Sequence, residues 1–132
     1  MGTLKICICA SSDSFGAFSE NCDGIYAAGD SVADVKKDVL ESIRLIKENW
    51  PKERWPEILK GEYEIEWHFD TQSLLNYYSK IFTNAALERI TGINQKQLWN
   101  YANGVSKPRP LARKKIETAL HNLGSELLTI SL

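Results

Sequence analysis

The chain has 132 residues, 43% hydrophobic and 25% charged, with a formal net charge of -1, enough for one ordinary domain or two small ones. No apolar run approaches the ~20 residues of a membrane span, and Met1-Gly2-Thr3-Leu4-Lys5 opens directly into an alternating pattern, so a cytoplasmic protein with no signal peptide and no membrane partner is expected. Cys7, Cys9 and Cys22 are an odd number without a CxxC pair, which argues against a disulfide framework and a zinc site; no metal and no cofactor is expected.

The net charge conceals a division. Residues 1–70 carry eight Lys and Arg against fourteen Asp and Glu, a net of -6, whereas residues 71–132 carry eight against three, a net of +5. A basic half can neutralise phosphates; an acidic half is repelled by nucleic acid and suits a basic protein partner.

In chain order, Leu4, Ile6, Ile8 and Ala10 alternate with Lys5, Cys7 and Cys9, the period of a strand. Ser11-Ser12-Asp13-Ser14 supplies turn residues, and Phe15 to Asn21 alternates again, giving a hairpin. Asp23-Gly24 marks a second turn before a third strand at Ile25–Ala28, completing an antiparallel meander. Gly29-Asp30-Ser31 closes it, with Ser31 and Asp34 spaced as a helix cap. Val32, Val35, Val39, Ile43 and Ile46 then follow at helical steps of three and four, and that helix must stop before Pro51. Trp50, Trp55 and Pro56 predict a packed connecting loop. Tyr63, Ile65, Trp67 and Phe69 alternate with Glu62, Glu64, Glu66 and His68, a strand with one apolar side and one acidic side. The first half therefore reads β-β-β-α-β, a sheet with its apolar face under one helix.

The second half reads as all helix. Asp70 or Thr71 caps a helix running through Leu74, Leu75, Tyr78, Ile81 and Phe82. Thr83 or Asn84 caps the next, with Ala86, Leu87 and Ile90 apolar and Gly92 past its end. Asn94 caps a third, with Leu98, Tyr101 and Ala102 facing inward. Gln95, Lys96, Gln97, Trp99 and Asn100 are left outside. Gln and Asn can bond adenine edges bidentately and Lys can reach guanine acceptors, so this face has the chemistry of base readout. Lys107, Arg109, Arg113, Lys114 and Lys115 follow, placed to meet phosphates. Pro110 opens a last helix, which Gly124 ends, and Leu128, Ile130 and Leu132 predict a short final strand able to pair in a dimer.

The run LERITGINQKQLWNYANGVSKPRP resembles the helix-turn-helix of phage repressors, through Leu87, Gly92-Ile93-Asn94, Gln95, Leu98 and the Asn103-Gly104 exit. Trp99 departs from that type, which usually has a small or polar residue there. The stretch FGAFSENCDGIYAAGDSVADVKKDVLESIRLIKE, together with the strand Leu4 to Ala10, resembles the HicB family of antitoxins. That resemblance implies a partial RNase H-like domain over residues 1–70, without catalysis, that covers a small basic RNA-cleaving HicA-like toxin. It implies a DNA-binding domain over residues 71–132 that represses the operon as a homodimer or higher homo-oligomer. The candidate operator-binding residues are Asn84, Asn94, Gln95, Lys96, Gln97, Asn100, Lys107, Arg109 and Arg113; the candidate partner-binding residues are Asp13, Glu20 and Asp23. The insertion from Asn49 to Gly61 departs from the shortest family pattern and could cover a surface the toxin needs.

Two rival functions remain open at this point. One is a stand-alone helix-turn-helix regulator whose first half binds a ligand or another protein. The other is a metal-dependent nuclease, for which Asp13, Glu20, Asp23, Asp30 and Asp34 are candidates by residue type alone. His68 and His121 have no identifiable orienting partner, which leaves nucleophilic catalysis without a base.

Overall fold

The computed structural model describes residues 1–11 and 13–132; Ser12, read above as a turn residue, lies outside the described residues. The fold is α+β, with a four-stranded mixed sheet and six α-helices among the described residues. Two compact units divide it, Met1–Asp70 and Thr71–Leu132.

In the first unit the elements are β1 (Gly2–Ala10), β2 (Phe15–Ser19), β3 (Tyr26–Gly29), α1 (Val32–Asn49), α2 (Glu57–Lys60) and β4 (Tyr63–Phe69). The strand order is β3-β2-β1-β4. The first three strands form the expected antiparallel meander, and β4 runs parallel to β1. A parallel return needs a long crossover, which α1 and the segment after it provide.

Register assigns the two faces of this sheet. Leu4, Ile6 and Ile8 pair with Ile65, Trp67 and Phe69, so these side chains share one face, joined from β2 by Phe15 and Ala17. Helix α1 covers this face with Val35, Val39, Ile43 and Ile46, all buried. Its start is built as the sequence implies: the Ser31 hydroxyl accepts from the Asp34 amide at 3.1 Å, and Asp34 places an acid in the positive first turn. On the helix surface Arg44 pairs with Glu41 and Glu48, holding the Glu41 carboxyl below its usual range. Gly29 carries a tighter constraint, because a Cβ there would lie 2.8 Å from the Asp34 Cβ and 3.0 Å from the Val35 nitrogen.

The segment after α1, expected as a loop, contains a 3-10 turn at Lys52–Arg54 and then α2. Trp55 donates its indole N–H to the Trp50 carbonyl at 3.0 Å, and the Lys47 ammonium lies over the rings of Trp55 and Tyr63 at 5.6 and 5.4 Å. Leu59 is buried and Ile58 sits against Gly2, which by alternation is on the covered face. The Asn49–Gly61 insertion thus thickens the helix layer and leaves the opposite sheet face uncovered by it.

On that opposite face lie Cys7 and Cys9, half-buried, beside the exposed Phe18. Burial, the neighbouring Cys9, and the carboxylates of Glu20 and Asp70 push the Cys7 thiol up to about 12. A raised thiol pKa leaves little thiolate, so Cys7 should alkylate far more slowly than an unperturbed thiol at pH 8. Iodoacetamide labelling followed by peptide mass spectrometry reads this directly; Cys7 reacting at the rate of free cysteine would contradict it.

In the second unit, α3 (Thr71–Tyr78), α4 (Asn84–Thr91), α5 (Gln95–Ala102) and α6 (Pro110–Leu128) close around Leu75, Leu87, Leu98, Tyr101 and Ile116. Three expectations fail here. Helix α3 stops at Tyr78 instead of continuing through Phe82; the Ile81 and Phe82 amides both bond the Tyr78 carbonyl, which swings Phe82 onto the core and leaves Ile81 exposed. Helix α6 passes through Gly124 to Leu128, because Gly124 has no left-handed φ and the apolar positions Leu120, Leu123 and Leu127 keep helical spacing. The final strand at Leu128, Ile130 and Leu132 does not form: Leu128 is the last helical residue, Thr129 follows in helical conformation, and the Ile130 amide bonds the Leu127 carbonyl at 3.2 Å, a turn bond and not a strand pairing.

Candidate nucleic-acid interface

The link between α4 and α5 is three residues long, and its backbone donors are accounted for almost one by one. Thr83 caps α4 by accepting from the Ala86 amide at 3.0 Å. At the other end Gly92 takes φ 77°, a left-handed conformation that costs a residue with a Cβ about 1 kcal/mol or more, and its amide bonds the Glu88 carbonyl at 2.8 Å. The Ile93 amide is met by the Thr91 hydroxyl at 3.1 Å, which itself bonds the Leu87 carbonyl. Ile93 then drops against the core. Asn94 caps α5 by accepting from the Lys96 amide at 2.8 Å.

Glu88 completes the turn. Its carboxylate accepts both the backbone amide and the side-chain Nε2 of Gln95, each at 3.2 Å. The pair clamps the first residue of α5 to the preceding helix and places a negative charge at the N-terminus of α5, where the helix dipole favours it. Nothing in the periodicity announced Glu88, because the bond spans a turn between two helices; a carboxylate seven residues before an exposed glutamine was the only trace.

Helix α5 buries Leu98 and Tyr101, with Ala102 packed beside them. Opposite runs the i, i+3, i+4, i+7 ridge of Lys96, Trp99, Asn100 and Asn103. Lys96, Trp99 and Asn103 are exposed, Trp99 by 51%, and Asn100 is half-buried. The exit is fixed by the Val105 amide on the Asn100 carbonyl at 2.9 Å and the Gly104 amide on Tyr101 at 3.4 Å, the paired bonds of a Schellman turn.

The sequence candidates divide accordingly. Lys96 and Asn100 stand on the ridge and Gln95 is exposed beside it. Gln97 is half-buried and donates to the Ser106 hydroxyl at 3.3 Å, so it braces the segment after α5. Asn94 uses its side chain as a cap, and Asn84 is the half-buried first residue of α4. Lys107 and Arg109 are exposed where the chain turns into α6, and Arg113 donates to the Pro108 carbonyl at 3.0 Å while remaining exposed. Trp99, a departure from the phage-repressor type, is the largest apolar surface on the ridge.

The candidate partner residues are not brought together. Asp13 lies in the turn before β2, bonded to Ser11, whereas Glu20 and Asp23 lie beyond its other end. That five-residue strand spans roughly 17 Å. Asp30 and Asp34 lie at the start of α1, Asp30 directly after the Gly29 that pairs with Phe15, and among the described residues no group of three or more His, Cys, Asp or Glu could hold a metal ion. No helix among the described residues is long and apolar enough to cross a membrane. No family model, curated protein or solved structure matches this chain.

Proposed function

We propose that the chain is a HicB-type antitoxin that binds a small basic RNA-cleaving toxin through residues 1–70 and represses its own operon through residues 71–132. The observation that carries this reading is the ridge of exposed Lys96 and Trp99 with half-buried Asn100 on a braced two-helix turn, in a unit of net charge +5 joined to one of -6. Helices α4 and α5 act as a helix-turn-helix. Helix α5 enters the major groove, where Asn100 pairs with an adenine edge and Lys96 with guanine acceptors. Lys107, Arg109, Arg113, Lys114 and Lys115 neutralise phosphates on either side. Two copies occupy half-sites about 34–36 Å apart, one DNA turn. Operator occupancy blocks transcription, and the acidic unit occludes the toxin by charge-steered association.

Titration of the chain against its own promoter DNA in gel shifts at several salt concentrations tests this. Binding should weaken with salt. Lys107→Ala should lower affinity on all sequences and reduce the log–log salt slope by about 1. Asn100→Ala should cost about 1–3 kcal/mol on the operator and relax the preference at one base pair. Unchanged operator affinity in the Lys96→Ala, Asn100→Ala double variant would remove α5 as the reading element. A gene neighbourhood lacking any small basic protein would favour the stand-alone regulator.

A further inference from the structure

The face of the sheet turned away from α1 has an organisation that a solvated face does not need. Strand register draws one row straight across it: Tyr26 on β3 pairs with Phe18 on β2, Phe18 with Cys7 on β1, and Cys7 with His68 on β4. A four-strand row is roughly 14 Å wide. Tyr26 is 76% exposed and Phe18 42%. An antiparallel meander with one wet face ordinarily turns polar side chains to water; here Phe18 and two half-buried thiols occupy the inner strands, with Tyr26 beside them on the β3 edge. Carboxylates border them on the β4 side. Glu64 and Glu66 share the face from β4, Glu66 bonds His68 at 2.6 Å, and Glu20 and Asp70 lie near enough to Cys7 to raise its thiol. The cation on this face of β1 is Lys5, whose register partner is Glu66. An apolar centre within a charged rim is the anatomy of a protein interface.

Charge selects the occupant. Nucleic acid and anionic lipid are repelled by the carboxylates, and a second copy docking the same sheet face would set Glu64 and Glu66 against the same acids. Exposed aromatic faces on the β3–β2 side and carboxylates on β4 suit arginine above lysine, because a guanidinium stacks on a ring and, at another position, bonds a carboxylate with two parallel donors. We infer that this sheet face is a docking surface for an arginine-bearing segment of a basic protein, with some guanidinium groups stacked on Phe18 and Tyr26 and others paired with Glu64 and Glu66 across the sheet. Recognition of that protein as a toxin rests on the function proposed above. The surface and its arginine preference do not.

The test uses the full chain, isotopically labelled, titrated with nona-arginine and separately with nona-lysine peptide while backbone amide shifts are followed. Saturable shifts should centre on Cys7, Phe18, Tyr26, Glu66 and His68, with nona-arginine the tighter ligand. A Phe18→Ser, Tyr26→Ser double variant should weaken nona-arginine by about tenfold, since two stacked cations are lost without a change of charge. Both residues are exposed, so the fold should survive; Glu64→Gln with Glu66→Gln gives a second route to the same loss. Glu41→Gln with Glu48→Gln, on the outer side of α1, should leave affinity unchanged. Shifts centred on α1, equal affinity for the two peptides with no effect of the aromatic variant, or no binding at all would each overturn the inference. If instead the peptides map to this face but no toxin copurifies with the chain, the surface stands and the antitoxin reading falls.

Discussion

Leu98→Ala should unfold residues 71–132 while the sheet of residues 1–70 keeps its structure. Leu98 is fully buried at the centre of the cluster formed with Leu75, Leu87, Tyr101 and Ile116. Truncating a leucine in such a place removes its transfer energy and leaves a cavity, about 2–5 kcal/mol together. A unit of about 60 residues holds only roughly 3–9 kcal/mol in total. The transition of that unit should therefore fall by more than about 10 °C, and operator binding should be lost with it. Hydrogen exchange read by mass spectrometry separates the two outcomes. Peptides from α4, α5 and α6 should exchange freely, while those from β1 and β2 should keep their protection. Loss of protection in both sets would mean that the two compact units do not fold separately; retention in both would mean that the α4–α5 turn is held by its hydrogen bonds and not by the core beneath it.

How far the fold was legible depended on whether its cause was local. The caps at Ser31, Thr83 and Asn94 could be read from residue type because a hydroxyl or amide meeting an amide two or three residues on is chemistry within one turn. The Val35–Ile46 stripe of α1 and the alternation of β4 were legible because burial follows period over many residues. Gly92 was legible as a helix stop for the right reason, its left-handed φ. Gly124 was misread because the same residue type ends a helix only when the backbone must reverse there. Alternation across Leu128, Ile130 and Leu132 is too short to separate a strand from a fraying helix end, and no described strand of that unit offers a hydrogen-bond partner. The end of α3 was missed because Phe82 reaches the core through a turn, a tertiary demand that apolar spacing cannot express.

The candidate interface shows the same division more sharply. Lys96 and Asn100 emerge from helical geometry alone once Leu98 and Tyr101 are placed inside. The roles of Glu88 and Ser106 do not, since each acts across a turn on a side chain of α5, Gln95 and Gln97 in turn. On the sheet, acidity was visible as a total of -6 over residues 1–70. That Tyr26, Phe18, Cys7 and His68 form one row was not, because it needs the register of three strand pairs at once.

Gly29→Ala should be the most damaging conservative change in residues 1–70. The chain at Gly29 passes so close to the first turn of α1 that the new methyl carbon would sit 2.8 Å from the Asp34 Cβ, 3.0 Å from the Val35 nitrogen and 3.1 Å from the Asp34 carbonyl carbon. Two of these are backbone atoms of a capped helix start, held by the bonds from Asp34 and Val35 back to Ser31, so no side chain can rotate away. Either α1 lifts from the sheet or β3 shifts in register, and Ala27 and Ala28 leave no long side chain to absorb the movement. Overpacking of this kind costs about 1–3 kcal/mol. Gly61→Ala is the control: a Cβ there meets nothing within 4 Å, and the loss of chain freedom in the unfolded state should make it neutral or stabilising by up to about 1 kcal/mol. The difference between the two variants isolates the clash from the general effect of replacing glycine. Denaturant unfolding should place Gly29→Ala well below Gly61→Ala, with early exchange in the first turn of α1. Equal midpoints would show that the strand and helix can separate at no cost, and that the close approach at Gly29 does not hold the helix on the sheet.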